Sequence, residues 1–314
     1  MSATPARIAV IIPCYNEEVA IAQTVADFRA AMPAADIYVY DNNSKDGTAQ
    51  RAREAGAIVR TEPRQGKGNV VRRMFADVEA DVYVLVDGDD TYDASVAPDL
   101  VATLIDGGYD IVSGRRVATA KDAYRAGHVL GNKLLTGLTA LMFRVKLLDM
   151  LSGYRIMSRR FVKSFPFTAE GFGIETELTV HGVRLLMPMI EVDTKYKERP
   201  EGSVSKLSTY RDGFRILFTI ASLVREERPA VFFSGIFAIL ALISIAMGVP
   251  VILQFLHTHT VPRLPTALLA TALMILAFLA LASGMILDTV TRGRWELKRI
   301  AYLSIPGPQG LKKP

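Results

Sequence analysis

Residues Val82 to Tyr92 read VYVLVDGDDTY, and this stretch decides the fold. The run Val82 to Val86 is wholly apolar and rich in β-branched valine, which suits a strand buried on both faces. It then breaks into Asp87-Gly88-Asp89-Asp90. Carboxylates leaving a buried strand together are costly unless a cation holds them. A hard divalent ion, Mg2+ or Mn2+, is the natural partner, because such ions prefer oxygen ligands and share them with substrate phosphates.

Working outward, further β-type runs fall at Ile8–Ile12, Ile37–Tyr40, Ala57–Arg60 and Asp110–Ser113. Helical patterns separate them at Glu17–Met32, Thr48–Ala55, Lys67–Val78 and Ser95–Ile105. This alternation predicts a mostly parallel sheet covered by helices. Right-handed crossovers bring the carboxyl ends of parallel strands to one edge, where ligands of such sheets bind. The polar turns fall at that edge: PCYNEE (Pro13 to Glu18), DNNSKDGT (Asp41 to Thr48), RQGKG (Arg64 to Gly68), DGDD (Asp87 to Asp90) and SGRR (Ser113 to Arg116). Together they predict a site for a charged ligand. No G-x-G-x-x-G follows the first strand and no G-x-x-x-x-G-K-[ST] occurs, which disfavours a dinucleotide dehydrogenase and a P-loop NTPase.

Of 314 residues, 50% are hydrophobic and 22% charged, with a net charge of +5. The pI near 9.2 fits anionic partners. Cys14 is the only cysteine, so neither an internal disulfide nor a cysteine-based zinc site is available. His128, His181, His257 and His259 show no metal-ligand spacing and read as structural or loop residues. Basic residues accompany carboxylates instead of forming a stripe with aromatics, so a nucleic-acid partner is not expected.

From Ala230 to Leu287 the only charged side chain is Arg263. The uncharged runs 230–256 and 264–287 each exceed the roughly 20 apolar residues that cross a bilayer. Arg211, Arg215, Arg225 and Arg228 precede the first run; Arg292, Arg294, Lys298 and Arg299 follow the second. The positive-inside rule therefore places the front domain and both termini in the cytoplasm and the loop His257 to Arg263 outside. The N-terminus MSATPARIAV has no signal-peptide core. An amphipathic helix is expected over 208–229, where Phe214, Leu217, Phe218, Ala221 and Val224 recur at helical spacing. A second interfacial helix is expected over Asn132 to Leu151. The expected divisions are a front domain over 1–207, the juxtamembrane helix 208–229, a hairpin over 230–288 and a tail over 289–314.

The ordered motifs IPCYNEE, DNNSKDGT, GKGN and DGDDTY resemble the front domain of inverting family 2 glycosyltransferases, with the Rossmann-like fold called GT-A. The resemblance implies that Pro13, Tyr15, Glu17, Asp41, Asp46 and Lys67 line the nucleotide pocket, that Asp87 contacts the nucleotide, and that Asp87 and Asp89 serve a Mg2+ or Mn2+. Many relatives carry two successive aspartates where this chain has Asp41-Asn42. The segments SGRR, Arg125 to Asn132, DMLSGYRIMSRR, GFGIETEL and YKERPEGSVSKL resemble the branch that glycosylates polyprenyl phosphates, over residues 7 to 207. This implies a nucleotide-sugar donor and a lipid-phosphate acceptor at a membrane, the bacterial inner membrane in the simplest case. Arg125 would hold the acceptor phosphate, with Asn132 near it. Arg115, Ser152, Arg155, Glu175 and Glu177 would lie on the acceptor and sugar side. Arg199, Ser205 and Lys206 would grip phosphates. The sugar, the prenyl length and the oligomeric state, a homo-oligomer included, stay open. A processive polysaccharide synthase is the alternative, but its Q-x-x-R-W signature is matched only by TRGRW, with Thr291 in the glutamine place. A membrane scaffold is a third reading, and the dense set of polar strand ends speaks against it.

Overall fold

The structure is a computed structural model, and it describes residues 6–118, 136–137, 140–141, 147–166, 173–197, 221–308 and 311. These fall into two compact units: Met1–Ile216 with Lys298–Pro314, and Leu217–Leu297.

The first unit is built on a seven-stranded sheet in the order β3-β2-β1-β4-β6-β5-β7. Its strands are β1 (Ile8–Cys14), β2 (Asp36–Asp41), β3 (Ile58–Thr61), β4 (Val82–Leu85), β5 (Ile111–Ala118), β6 (Arg155–Ser158) and β7 (Met189–Tyr196). All neighbours run parallel except β6, which is antiparallel to both β4 and β5. The five strands expected from the alternation are present. β1 and β4 are buried along their whole length, as their continuous apolar runs require. The order reverses at β1, so the loops after β1 and β4 flank the crevice where such sheets bind ligands.

Helices α1 (Ile21–Ala31), α2 (Thr48–Glu54), α3 (Lys67–Asp77) and α4 (Ala97–Gly107) cross over between the parallel strands. Short α5 (Arg159–Ser164) starts at Ser158, whose hydroxyl accepts the Phe161 backbone N–H. α6 (Ile174–Arg184) precedes β7. His181 on α6 is buried between Phe161 and Phe165, with Nε2 3.2 Å from Ser164 Oγ. Burial, helped by Lys298, pulls its imidazole down to about 3, so it is a neutral core residue as expected.

The second unit contains α7 (Pro229–Thr258) and most of α8 (Leu264–Leu303). Both are long and apolar enough to cross a membrane, and the most apolar window of each is only 11% buried within the protein. Within this unit the two helices pack through small residues. Ser244 Oγ donates to the Ala270 carbonyl at 2.7 Å, and a Cβ on Gly284 would come within 2.7 Å of Phe233 Cβ. The charges after Leu287 end the apolar run but not the helix: Asp288 and Arg292 pair one turn apart at 2.8 Å, and α8 continues to Leu303. The expected juxtamembrane helix is seen only as a helical stretch over 221–227; the rest of it, and most of Asn132 to Leu151, lies outside the described residues.

The tail is also more than an appendage. Residues 298–314 group with the first unit. Tyr302 Oη donates to Asp110 Oδ2 at 2.8 Å, and the Arg160 guanidinium lies 4.7 Å from the Tyr302 ring centre. Arg160 also binds Asp110 through two hydrogen bonds, and Ser158 Oγ donates to Asp110 Oδ1 at 2.7 Å. Burial and the Asp110 carboxylate push the Tyr302 phenol up to about 12.

Candidate active site

The first acidic loop is held by the second. The Glu17 backbone N–H donates to Thr48 Oγ1 at 2.8 Å, and the Asn16 amide carbonyl accepts the Lys45 N–H at 2.8 Å. Pro13 is buried in β1 beside Tyr40, and Tyr15 and Glu17 are partly exposed beyond its end. Asp46 accepts from the Thr48 hydroxyl and N–H and from the Glu18 N–H. Burial pushes its carboxyl up, yet these donors outweigh burial and hold it below its ordinary range. Asp46 therefore fastens the two loops together at the start of α2.

Asp41 ends β2 and is 7% exposed. Its Oδ2 accepts the Ser44 N–H at 3.3 Å, while Oδ1 is buried with no hydrogen-bond partner. An unmatched buried carboxylate oxygen is expensive, and ligand hydroxyls or N–H groups would satisfy it. Asn42 explains the departure from the double-aspartate pattern. Its Nδ2 donates to the carbonyls of Glu62 and Arg64 at 2.8 and 2.7 Å, and its Oδ1 accepts the Gly66 N–H at 2.7 Å. A carboxylate could not make the two donations. Asn42 staples the second loop to the turn that begins α3.

That turn places Lys67. Gly66 has φ +126°, a backbone conformation that favours glycine, and α3 starts with the next residue. Lys67 Nζ lies 2.5 Å from Asp87 Oδ1 and 2.5 Å from Glu175 Oε1. Asp87 follows β4, and Glu175 sits in the first turn of α6. Burial opposes the ammonium, but the two carboxylates overcome it and hold Lys67 well above its ordinary value. Asp87 is raised by burial more than Lys67 lowers it. Glu175 is pushed up by burial yet ends lower than usual because of Lys67. Glu177, on the same helix, is partly exposed.

Asp89 is 4% exposed and accepts from Thr91 Oγ1 at 2.6 Å. Cys14 lies behind this group. Burial, and after it the carboxylates of Glu17, Asp41, Asp87 and Asp89, push its thiol well up. Asp87 and Asp89 offer hard oxygen donors on one turn, so the donor set fits Mg2+ or Mn2+. Among the described residues no group of three or more His, Cys, Asp or Glu side chains could hold a metal ion.

Ser152 and Arg155 serve the neighbouring loop. Ser152 Oγ donates to the Gly114 carbonyl at 2.5 Å. Arg155 is 1% exposed and donates to the carbonyls of Ser152 and Met150 at 3.0 and 2.6 Å, while its Nη1 has no partner. Burial lowers its affinity for its proton. The loop they shape carries Gly153 against Asp87: a Cβ there would come within 2.2 Å of Asp87 Oδ2. The Gly153 N–H donates to the Tyr92 phenol oxygen at 2.8 Å. Gly153→Ala should therefore displace the Asp87 carboxylate and cut activity by about two decades, ~2.7 kcal/mol of barrier, with a smaller change in melting temperature. Rates at saturating substrate beside a thermal melt check this, and an unaltered rate would refute the contact.

Arg115 makes two hydrogen bonds to Asp193, its register partner on β7. Arg116 makes the equivalent pair to buried Asp149 at 2.8 and 2.7 Å. Arg125, Asn132, Arg199, Ser205 and Lys206 lie outside the described residues. Tyr92 and Asp149 were not expected as parts of the site, although Tyr92 ends the DGDDTY motif and Asp149 begins DMLSGYR.

Residues 9–165 match the family model described as glycosyl transferase family 2. The chain belongs to that family. This family 2 glycosyltransferase is 33% identical over 235 residues to the glycosyltransferase AglJ of Haloferax volcanii, covering 74% of this chain and 77% of that one. It is 29% identical to a dolichyl-phosphate hexose transferase of the same organism, covering 70% and 95%. It is 58% identical to protein RfbJ of Shigella flexneri over 123 residues, covering 39% and 95%. Its structure is similar to that of Mycobacterium tuberculosis glucosyl-3-phosphoglycerate synthase in complex with Mn2+, uridine-diphosphate-glucose and phosphoglyceric acid. That similarity has a TM-score of 0.57 at 25% identity over 70% of this chain and 79% of that chain.

Proposed function

We propose that this family 2 glycosyltransferase moves a hexose from a nucleoside-diphosphate sugar to the phosphate of a polyprenyl phosphate, with inversion, at the cytoplasmic face of a membrane. The observation that carries the reading is a single juxtaposition. Asp41, Lys67, Asp87 and Asp89 gather at the carboxyl ends of the parallel strands, in a chain that also bears two apolar helices of membrane length. The dolichyl-phosphate hexose transferase among the relatives supports the lipid-phosphate acceptor, and the UDP-glucose neighbour supports the donor.

The chain's residues divide the work. Asp41 Oδ1 accepts from the nucleoside. Asp87 and Asp89 would hold a Mg2+ or Mn2+, which when bound would supply positive charge for the departing diphosphate. Lys67 and Glu175 fix where the sugar and its diphosphate lie, so that the anomeric carbon faces the acceptor. The attacking group is a phosphate oxygen, already largely ionised near neutral pH with a second pKa of about 6. No strong general base is then required. The lipid cannot leave the bilayer, and the two apolar helices would keep the enzyme at the same membrane.

Membrane vesicles holding the protein test this with undecaprenyl phosphate, Mg2+ or Mn2+, and a panel of UDP-hexoses and GDP-mannose. Mass spectrometry of the lipid should show a gain of one hexose. Nucleotide sugars do not cross bilayers, so inside-out vesicles should react and sealed right-side-out ones should not. Hexose transfer to 3-phosphoglycerate but never to the lipid would overturn the acceptor; transfer in right-side-out vesicles would overturn the topology. Arg125, assigned to the acceptor phosphate, gives a further expectation. Arg125→Ala should raise the KM for lipid phosphate and lower kcat, by about one to two decades in kcat/KM, ~1.5–3 kcal/mol for a charge-assisted contact. Lys at this position should restore part of the loss. Unchanged lipid kinetics with weakened nucleotide binding would remove Arg125 from that role.

A further inference from the structure

Asp87 is enclosed from two sides. Its Oδ1 is 2.5 Å from Lys67 Nζ, and its Oδ2 faces the Gly153 backbone so closely that even a methyl group would not fit between them. Lys67 is itself fixed, because Glu175 holds the same ammonium at 2.5 Å from another helix. The three side chains come from α3, the end of β4 and α6, so the whole fold sets the geometry. An ammonium in this place acts on Asp87 as a competing cation: any divalent ion that draws on Asp87 must share or displace Lys67. Beyond Asp87 and Asp89 no third His, Cys, Asp or Glu side chain among the described residues completes a metal group with them. A donor diphosphate would change both sides of this balance, since its oxygens complete the ion's shell and also accept the Lys67 ammonium.

We infer that Lys67 is a built-in counter-ion that keeps Asp87 from holding a divalent cation alone, so that cation and nucleoside diphosphate enter together. This deepens the donor-site reading above and rests on it. The coupling is reciprocal: the nucleotide tightens the ion by the same factor that the ion tightens the nucleotide.

The test is Mn2+ binding to the full chain in detergent micelles, read from the electron paramagnetic resonance signal of free Mn2+, with and without UDP. Wild type should bind Mn2+ weakly alone and at least about tenfold more tightly with saturating UDP, within the usual range for coupled sites. Lys67→Met should bind Mn2+ alone about tenfold more tightly than wild type, and UDP should add less. Lys67→Gln, which keeps a hydrogen-bond donor between the carboxylates, covers the case in which the Met variant does not fold. Lys67→Arg, which keeps the positive charge, should bind Mn2+ alone no more tightly than wild type. Adding Asp89→Asn to Lys67→Met should abolish the gain, which localises it. If wild type shows UDP-dependent Mn2+ binding but neither neutral variant binds Mn2+ more tightly alone, the counter-ion inference fails and the donor site stands. If no nucleoside diphosphate, UDP and GDP included, brings Mn2+ to the wild type, the donor-site reading fails with it.

Discussion

Asp89→Asn is expected to keep the fold and lose about three decades or more of transfer rate, ~4 kcal/mol of barrier. The substitution is nearly isosteric. The remaining amide oxygen can still accept from the Thr91 hydroxyl, which lies 2.6 Å from Oδ1, so the turn after β4 keeps its anchor. What disappears is a buried negative charge at the strand end, and with it a hard anionic ligand for a cation. Positioned charge at a departing diphosphate is among the largest contributions available to such a reaction. Initial rates over a Mn2+ titration, beside a thermal melt, check both halves. Wild-type rates from the variant, or from wild type in excess chelator, would remove Asp89 from the metal role.

Asp110→Ala carries the largest expected effect on stability. Asp110 is 0% exposed and takes two hydrogen bonds from Arg160, one from Ser158 and one from Tyr302. Removing the carboxylate strands the half-buried Arg160 guanidinium without its anion. Breaking one partner of a buried ion pair costs about 3–5 kcal/mol. For a domain of this size that corresponds to a fall in melting temperature of roughly 10 °C. Tyr302→Phe removes one hydrogen bond to the same carboxylate and should cost only about 1 kcal/mol. Melts of the full chain in detergent should rank the variants in that order. Equal melting temperatures for wild type and Asp110→Ala would contradict the cluster.

The first half of the sheet was legible because β1, β2 and β4 are short apolar runs bounded by polar turns, and each turn lies where parallel topology demands. β6 and β7 carry no such mark. β6 is four residues long and begins with an arginine that folds inward onto backbone carbonyls, which no periodicity rule anticipates. β7 alternates charged and apolar residues and is only partly buried, so it reads as surface. The strand-end carboxylates were legible as a group. The pairing of Lys67 with Glu175 was not, since 108 residues separate them and only the folded sheet brings α6 over the start of α3. Asp46, placed in the nucleotide pocket by the resemblance, and Asn42 also tie neighbouring loops together, a role that residue type alone does not announce. The end of the second apolar run was read from its charges, but an amphipathic helix needs no change of backbone where its composition changes, so α8 runs on.

The contact between Asp110 and Tyr302 spans 192 residues, and both apolar runs, 230–256 and 264–287, lie between its two halves in the chain. The sheet unit is therefore discontinuous in sequence. On a ribosome, Asp110 and Arg160 emerge long before the tyrosine that completes their cluster, and the apolar hairpin must be synthesised in between. The sheet unit closes last, after both apolar runs have been made. A shortened chain that ends ahead of the hairpin would contain every strand of the sheet and still lack a piece of its interior. A fragment that splices residues 298–308 back onto the sheet unit should therefore melt higher than one simply cut ahead of the hairpin.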